Sequence, residues 1–247
     1  MSVEKTSAVI LALTPYRETS CILRLFTEDH GLVHGVAKGV KKDAKSVPLD
    51  RGFLVETLLY LRPNRDLHTL GGLQVTDFLP AIRADLVKSA VRDTALELYL
   101  KSITQSGAHP ELYSLLVSFL KRLESVVARF AFPLLWHFLH EYCSLAGFKI
   151  NTEVCTACGN DTTWSGGVLQ ISAGSLYCPS CARSSGSQYM LTPQVVAFLD
   201  SIDTGGQSVN DMGECLRVTG LLLSYCRHHL DIRTGFKSLS FMETMLT

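Results

Sequence analysis

Short runs rich in β-branched and aromatic residues dominate the first eighty positions of the chain. There are five of them, at residues 6–13, 19–27, 32–37, 53–61 and 68–78. Turn-forming residues separate the runs, among them Thr14-Pro15, Asp29-His30-Gly31 and Pro63-Asn64, which favour reversals of chain direction. Five strands in about eighty residues predict a small closed β-barrel. An OB-fold is one compact solution, and an SH3-like barrel fits nearly as well.

After Pro80 the spacing of apolar residues changes from the period of a strand to the 3.6-residue period of a helix. The clearest stripe is Leu112, Leu115, Leu116, Phe119, Leu120, Leu123, Val126 and Val127. Similar stripes lie within residues 86–103, 134–146, 193–202 and 212–226. Such stripes form the buried faces of packed helices. The sequence therefore predicts an α+β multidomain chain, with a β-barrel domain at residues 1–80 and a mostly α-helical domain at residues 81–247.

Composition places the chain among globular proteins and says little about its partners. Its 247 residues are 47% hydrophobic and 19% charged, and 23 Lys plus Arg balance 23 Asp plus Glu. A net charge of zero gives no indication of a nucleic-acid partner. The apolar stretch at 8–13 is too short for a signal peptide, and no apolar run reaches the roughly 18 residues of a membrane span. We therefore expect a cytoplasmic protein without a membrane partner, whose eight cysteines stay reduced.

Four of the cysteines form two Cys-x-x-Cys pairs, Cys155 with Cys158 and Cys178 with Cys181, and nineteen residues separate the pairs. Each pair aims two thiolates at one point, and the spacer is long enough to return the second pair to the same ion. This spacing predicts a zinc-binding insertion at about residues 151–190. Four thiolates fill a tetrahedral shell and leave no position for water or substrate, so the zinc is expected to be structural.

A basic segment follows the third predicted strand. It carries Lys38, Lys41, Lys42 and Lys45 against the single acid Asp43, and Arg51 lies just beyond it. Lysines on a loop beside a small barrel can neutralise backbone phosphates without reading bases. Basic clusters are also common on solvated surfaces, so charge alone leaves both interpretations open.

Three stretches together resemble the RecO family of bacterial recombination mediators. They are ETSCILRLFTEDHG (18–31) running into VAKGVKK (36–42), the two cysteine pairs, and KSLSF (237–241). The resemblance spans essentially the whole chain. It implies an N-terminal OB-fold that binds nucleic acid and a helical domain that often carries a zinc motif. It further implies binding of single- and double-stranded DNA, annealing of complementary strands, and work with RecR and single-stranded-DNA-binding protein that loads RecA at gaps.

The resemblance also points to particular side chains. Arg24, Lys38, Lys41 and Lys42 match basic positions of the family's OB-fold, which makes them candidate DNA contacts. Lys45 and Arg51 are added from their charge alone. Phe26 and Tyr60 could stack on bases, although an aromatic residue on a strand is more often part of the core.

An enzyme is the rival class, and the chain offers only incomplete catalytic motifs. His140-Glu141 begins like a zinc-protease helix, but position 144 is Ser144 where His-Glu-x-x-His needs a second histidine. Neither a Walker loop nor a Gly-x-Ser-x-Gly elbow is present. We therefore expect no enzymatic activity. The remaining alternative is a zinc-ribbon-type interaction adaptor that does not anneal DNA.

Overall fold

The computed structural model describes residues 2–40, 48–61, 65–103, 107–163, 165–182, 189–202 and 209–246. The chain divides into two compact units, Met1–Ser125 and Val126–Thr247. The first unit contains a barrel and the three helices that follow it. The boundary between the compact units therefore lies at Ser125, whereas the sequence pattern placed the domain boundary at residue 80.

Five strands form the barrel of the first unit. They are β1 (Ser2–Tyr16), β2 (Ser20–Thr27), β3 (Gly31–Ala37), β4 (Leu54–Leu61) and β5 (Leu67–Asp77). Their order in the closed sheet is β1-β2-β3-β5-β4, and β3 and β5 run parallel while the other neighbours are antiparallel. This order confirms the predicted OB-like barrel.

The first strand is longer than its sequence pattern indicated. Its residues up to Val9 pair with β4, while those from Ala8 onwards pair with β2. A register shift between Ile10 and Ala12 bends the strand, as β-bulges do, so that one strand serves both neighbours. Thr14-Pro15 was predicted to be a turn, and this was wrong, because β1 continues to Tyr16. Pro15 lies where β1 pairs with β2 alone, and a missing N–H on a free edge breaks no ladder bond.

Alternating side chains fill the barrel interior. The core consists of buried residues from all five strands and the loop before β4, including Ala8, Ile10, Leu23, Leu25, Val33, Phe53, Val55, Leu59 and Leu70. Gly35 lets β3 and β5 approach closely, since a Cβ at this position would lie 2.5 Å from the Leu70 side chain. The missing side chain at Gly35 thus makes room for Leu70 between these two strands.

Three helices complete the first unit: α1 (Pro80–Ala84), α2 (Leu86–Ser102) and α3 (Pro110–Ser125). The Asp85 carboxylate caps α2 by accepting a hydrogen bond from the Lys88 backbone N–H at 2.9 Å. The ring of Phe26 packs edge-on against Tyr99, with centroids 4.9 Å apart, and is fully buried. Phe26 therefore belongs to the core and offers no surface for a base.

The second unit is built on α4 (Ala131–Leu145), which a short 3-10 turn (Ala128–Phe130) precedes. The other long helices are α6 (Pro193–Asp200), α7 (Met212–His229) and α8 (Lys237–Met245). Trp136 of α4 is fully buried and donates its indole N–H to the Thr219 hydroxyl of α7 at 3.0 Å. No helix among the described residues is both long enough and apolar enough to cross a membrane.

The cysteine segment lies between α4 and α6. Its regular elements are β6 (Gly167–Gln170), β7 (Ser175–Tyr177), the single turn α5 (Pro179–Ala182) and β8 (Met190–Leu191), and the turn that carries Cys155 and Cys158 precedes them. The strands form a small sheet in the order β7-β6-β8. The strands bury Val168, Leu169, Leu176 and Leu191, so each strand contributes one or two apolar side chains to the packing of the segment.

Candidate metal centre and nucleic-acid interface

The four predicted cysteines come together. The sulfurs of Cys155, Cys158, Cys178 and Cys181 all lie within 4.8 Å of one another. Cys155 and Cys178 are buried, whereas Cys158 is exposed. The structure therefore confirms that the two Cys-x-x-Cys pairs form one cluster, as their spacing predicted.

Tight turns shape each half of the cluster. In the first half, the Gly159 N–H donates a hydrogen bond to the Cys155 carbonyl at 2.8 Å. Gly159 has a φ of 73°, a conformation that favours glycine. In the second half, Pro179 begins α5, and the Cys181 N–H donates to the Cys178 carbonyl at 3.1 Å. Pro is well suited to the first position of a helix because its φ is already set.

The surroundings stabilise thiolate at one sulfur. Burial of the Cys155 side chain raises its pKa. The backbone N–H groups of Cys178, Cys158 and Ala157 hydrogen-bond to this sulfur and outweigh that effect, so its pKa falls to about 6. Hydrogen bonds shared with the Cys158 and Cys178 sulfurs raise the pKa of Cys181 to about 12. Four crowded sulfurs cannot all ionise unless a cation balances their charge.

The cluster fits a tetrahedral metal ion. A metal–sulfur bond of about 2.3 Å implies sulfurs about 3.8 Å apart at the corners of a tetrahedron, and the Cys158 and Cys178 sulfurs are 3.7 Å apart. Protein thiolates would occupy all four corners. The cluster can therefore hold a metal ion, and its closed shell suits a folding role.

A polar cleft of about 660 Å³ opens at one end of the barrel. It lies where the β1–β2 turn, the end of β3 and the beginning of β5 meet. Its lining residues are Tyr16, Arg17, Val36, Lys38, Arg65, Asp66, Leu67, His68 and Thr69. Among the described lining residues, three cations, Arg17, Lys38 and Arg65, accompany one carboxylate, that of Asp66. In OB-folds the corresponding loops and the face of strands 2 and 3 bind oligonucleotides.

A further cation, Arg24, lies on a strand next to the cleft. Arg24 of β2 is exposed and stands opposite His34 of β3 in the strand register. Burial lowers the pKa of His34, the Arg24 charge lowers it further, and Asp66 acts in the opposite direction. Arg24 and His34 therefore share an electrostatic environment with the cleft.

The six candidate DNA contacts lie in different parts of the structure. Lys38 lines the cleft, and Arg24 lies beside it. Arg51 lines no part of the cleft, and its guanidinium forms an ion pair with Asp93 at 3.1 Å. The remaining three candidates, Lys41, Lys42 and Lys45, lie outside the described residues.

Sequence reasoning overlooked several cleft residues. Arg17 lies in the β1–β2 turn and Arg65 precedes β5, and the two residues are far apart in the sequence. Tyr16 and His68 were equally inconspicuous. Their positions in the fold could have identified Arg17 and Arg65, because the turns after the first and fourth strands of an OB-fold border its binding face.

His140, the start of the incomplete zinc-protease motif, has a structural setting. It is 1% exposed, and its two ring nitrogens lie 2.8 Å from the Leu199 carbonyl oxygen and 3.1 Å from that of Ile150. Both partners are backbone carbonyl oxygens, which act only as hydrogen-bond acceptors. Asp200 lies 4.0 Å away. His140 therefore connects α4 to the end of α6 and to the start of the cysteine segment.

These features define a class: an OB-like barrel with a basic cleft, joined in one chain to a helical unit that carries a closed four-cysteine cluster. The family models for recombination protein O match almost the entire chain, the N-terminal model over residues 1–78 and the C-terminal model over residues 83–239. The chain belongs to the RecO family of DNA repair proteins.

Individual relatives agree with this assignment. The DNA repair protein RecO of Geobacter metallireducens is 28% identical over 228 residues, which cover 90% of each chain. The protein of the same name from Chlorobium luteolum is 27% identical over 262 residues, covering 98% of each chain. The similarity therefore includes both the barrel and the helical part.

Proposed function

We propose that the chain is a DNA-binding recombination mediator. It binds single- and double-stranded DNA, anneals complementary strands and, together with RecR, helps to load RecA onto gaps coated by single-stranded-DNA-binding protein. Family membership supplies the link to DNA repair. The basic cleft of the barrel is the observation that carries the DNA-binding part of the proposal.

The cleft has the composition of a phosphate-binding groove. Arg17, Lys38 and Arg65 are all exposed, and Lys38 and Arg65 form no ion pair within the part of the chain that the structure describes. Cations without a local carboxylate partner remain available to phosphate oxygens. The zero net charge of the chain is compatible with this site, because the local excess of positive charge is what attracts a nucleic acid.

Annealing follows from charge neutralisation and needs no nucleophile. Two DNA strands repel each other through their phosphates, and cations that neutralise the backbones reduce this repulsion while the bases remain free to pair. We therefore propose a mediator without catalytic activity. Hydrolysis of nucleic acid by the purified protein, lost on replacement of His140 or Glu141, would contradict this.

We further propose that the ion of the cysteine cluster is Zn²⁺. Four thiolates in tetrahedral arrangement favour zinc over harder cations such as Mg²⁺ and Ca²⁺. Reduced thiols are required to bind it, which agrees with work in the cytoplasm. The ion supplies stability to the cysteine segment because it ties the turn at Cys155 and Cys158 to the turn at Cys178 and Cys181.

A strand-annealing assay tests the proposal. The double variant K38A/R65A removes two cleft cations, and K121A/R122A removes two exposed cations from α3 as a matched control. We expect K38A/R65A to slow annealing of complementary oligonucleotides, whereas K121A/R122A should anneal at the wild-type rate. A wild-type protein that neither binds DNA nor accelerates annealing would instead favour the interaction adaptor.

A further inference from the structure

We propose that Tyr16 and Arg17 form a stacking platform for one unpaired nucleotide base at the edge of the barrel cleft. The platform would give the cleft a preference for single-stranded over double-stranded nucleic acid. This inference rests on the proposed DNA-binding function of the same cleft and adds a residue-level basis for strand selectivity.

The two residues occupy a defined place beside the candidate phosphate contacts. Tyr16 is the last residue of β1 and pairs with Ser20 across the hairpin, and Arg17 is the first residue of the turn. Both line the same cleft as Lys38 and Arg65. A strand whose phosphates contact these cations would therefore pass next to the Tyr16 ring.

Arg17 already stacks with the ring. Its guanidinium carbon lies 5.2 Å from the centroid of Tyr16, within the range of a cation–π contact. Aromatic faces and guanidinium planes are the two protein surfaces on which unstacked bases rest. The pair thus presents both in one place, with a positive charge that also suits a phosphate.

The backbone of Arg17 is unusual. It has a φ of 53°, and only Leu79 and Asp231 share a positive φ among the described residues other than glycine. Leu79 is buried in the core, whereas Arg17 is exposed at the cleft. Left-handed backbone is unfavourable for such a residue and is retained at sites where the surroundings fix it, often functional ones.

No other aromatic residue of the cleft competes for this role. Tyr16 is the one Phe, Tyr or Trp among the residues that line it, and the neighbouring segments outside the described residues, 41–47 and 62–64, contain none. Phe26, one of the two aromatics considered from the sequence, is fully buried. Tyr60 lies on β4 against Gly71 and lines no part of the cleft.

The platform distinguishes strands because duplex bases are already stacked on one another. A single strand can turn a base onto Tyr16, while a duplex can offer only its backbone to the cleft. Stacking of one base on an aromatic side chain corresponds to about 5- to 150-fold in affinity. Since Tyr16 is half-buried, we expect the lower end of that range, about fivefold.

Fluorescence anisotropy with a labelled oligothymidine and a blunt duplex of the same length tests the platform. We expect Y16A to weaken binding of the single strand about fivefold, to change duplex binding less than twofold, and to leave the salt dependence unchanged. Y16F keeps the ring and should bind both like the wild type. A Y16A variant that binds the single strand normally, or loses both substrates equally, would overturn the proposal.

The charge variant separates this proposal from the function on which it rests. If K38A/R65A loses salt-dependent binding while Y16A has no selective effect, the cleft binds phosphate and the platform is refuted. If neither variant changes binding, the cleft itself is refuted. Photocrosslinking of wild-type protein to a strand containing 5-iododeoxyuridine needs no variant to fold, and we expect the crosslink at Tyr16. Crosslinks confined to other residues would also overturn the platform.

Discussion

Replacement of His140 by alanine should destabilise the second unit far more than replacement of His137. The two histidines lie on α4 and share one acceptor, since the His137 Nδ1 is 2.9 Å and the His140 Nδ1 2.8 Å from the Leu199 carbonyl oxygen. Only His140 also reaches the Ile150 carbonyl. The pair therefore offers a matched comparison on one helix.

The expected magnitudes follow from which carbonyl loses its partner. In H140A the Leu199 oxygen loses one of its two hydrogen bonds and keeps the one from His137, which costs about 0.5–1.5 kcal/mol. The Ile150 oxygen loses its bond from the His140 imidazole, which costs about 1–3 kcal/mol. We expect about 1.5–4.5 kcal/mol in total, and the emptied volume adds to this loss. H137A removes one bond of a carbonyl that His140 still satisfies, so it should cost about 0.5–1.5 kcal/mol.

Urea denaturation followed by tryptophan fluorescence measures this difference. The chain has two tryptophans, both within the sequence range of the second unit, and Trp136 is fully buried there, so its signal reports the unfolding of that unit within the full chain. The double variant should cost more than the sum of the single variants, because only then does the Leu199 carbonyl lose both donors. Equal losses in the two single variants, or strict additivity, would refute this assignment.

Three further outcomes are expected. C178S should lose the metal on elemental analysis and melt at lower temperature, whereas C215S, a buried cysteine outside the cluster, should keep its metal content; retained metal in C178S would contradict the closed site. Because the folded-state pKa of His34 is lowered, the neutral imidazole stabilises the barrel above pH about 6.5, and this contribution is lost as pH falls through the folded pKa. Between pH 7.5 and pH 5, the melting temperature of H34Q should therefore fall less than that of the wild type. An equal fall in both proteins would contradict the linkage. G35A should destabilise the barrel by about 1–3 kcal/mol through overpacking against β5, and an unchanged melting temperature would show that the strands can separate there.

Features with a local sequence signal were predictable. The cysteine cluster is the clearest case, because the spacing within and between the pairs specifies the geometry without knowledge of the fold. Amphipathic stripes likewise located α2, α3 and α4 to within a few residues. Strand β1 was predicted too short at its end because Thr14-Pro15 resembles a turn, whereas the strand runs from Ser2 to Tyr16.

The cleft depends on contacts that no local pattern encodes. Arg17 and Arg65 are brought to one place only when β3 pairs in parallel with β5 and the barrel closes. The sequence instead drew attention to the lysine cluster, of which Lys38 alone lies in the described cleft. Arg51 shows the opposite effect, since a charge that looked available is paired with Asp93 through tertiary structure.

The salt dependence of duplex DNA binding tests the phosphate cleft most directly. The logarithm of the binding constant falls with the logarithm of salt concentration by about 0.9 for each phosphate contact. We predict that K38A/R65A lowers this slope by about 1.8 relative to the wild type, twice the value for one contact, while K121A/R122A leaves it unchanged. A slope in K38A/R65A equal to that of the wild type would contradict the assignment of DNA binding to this cleft.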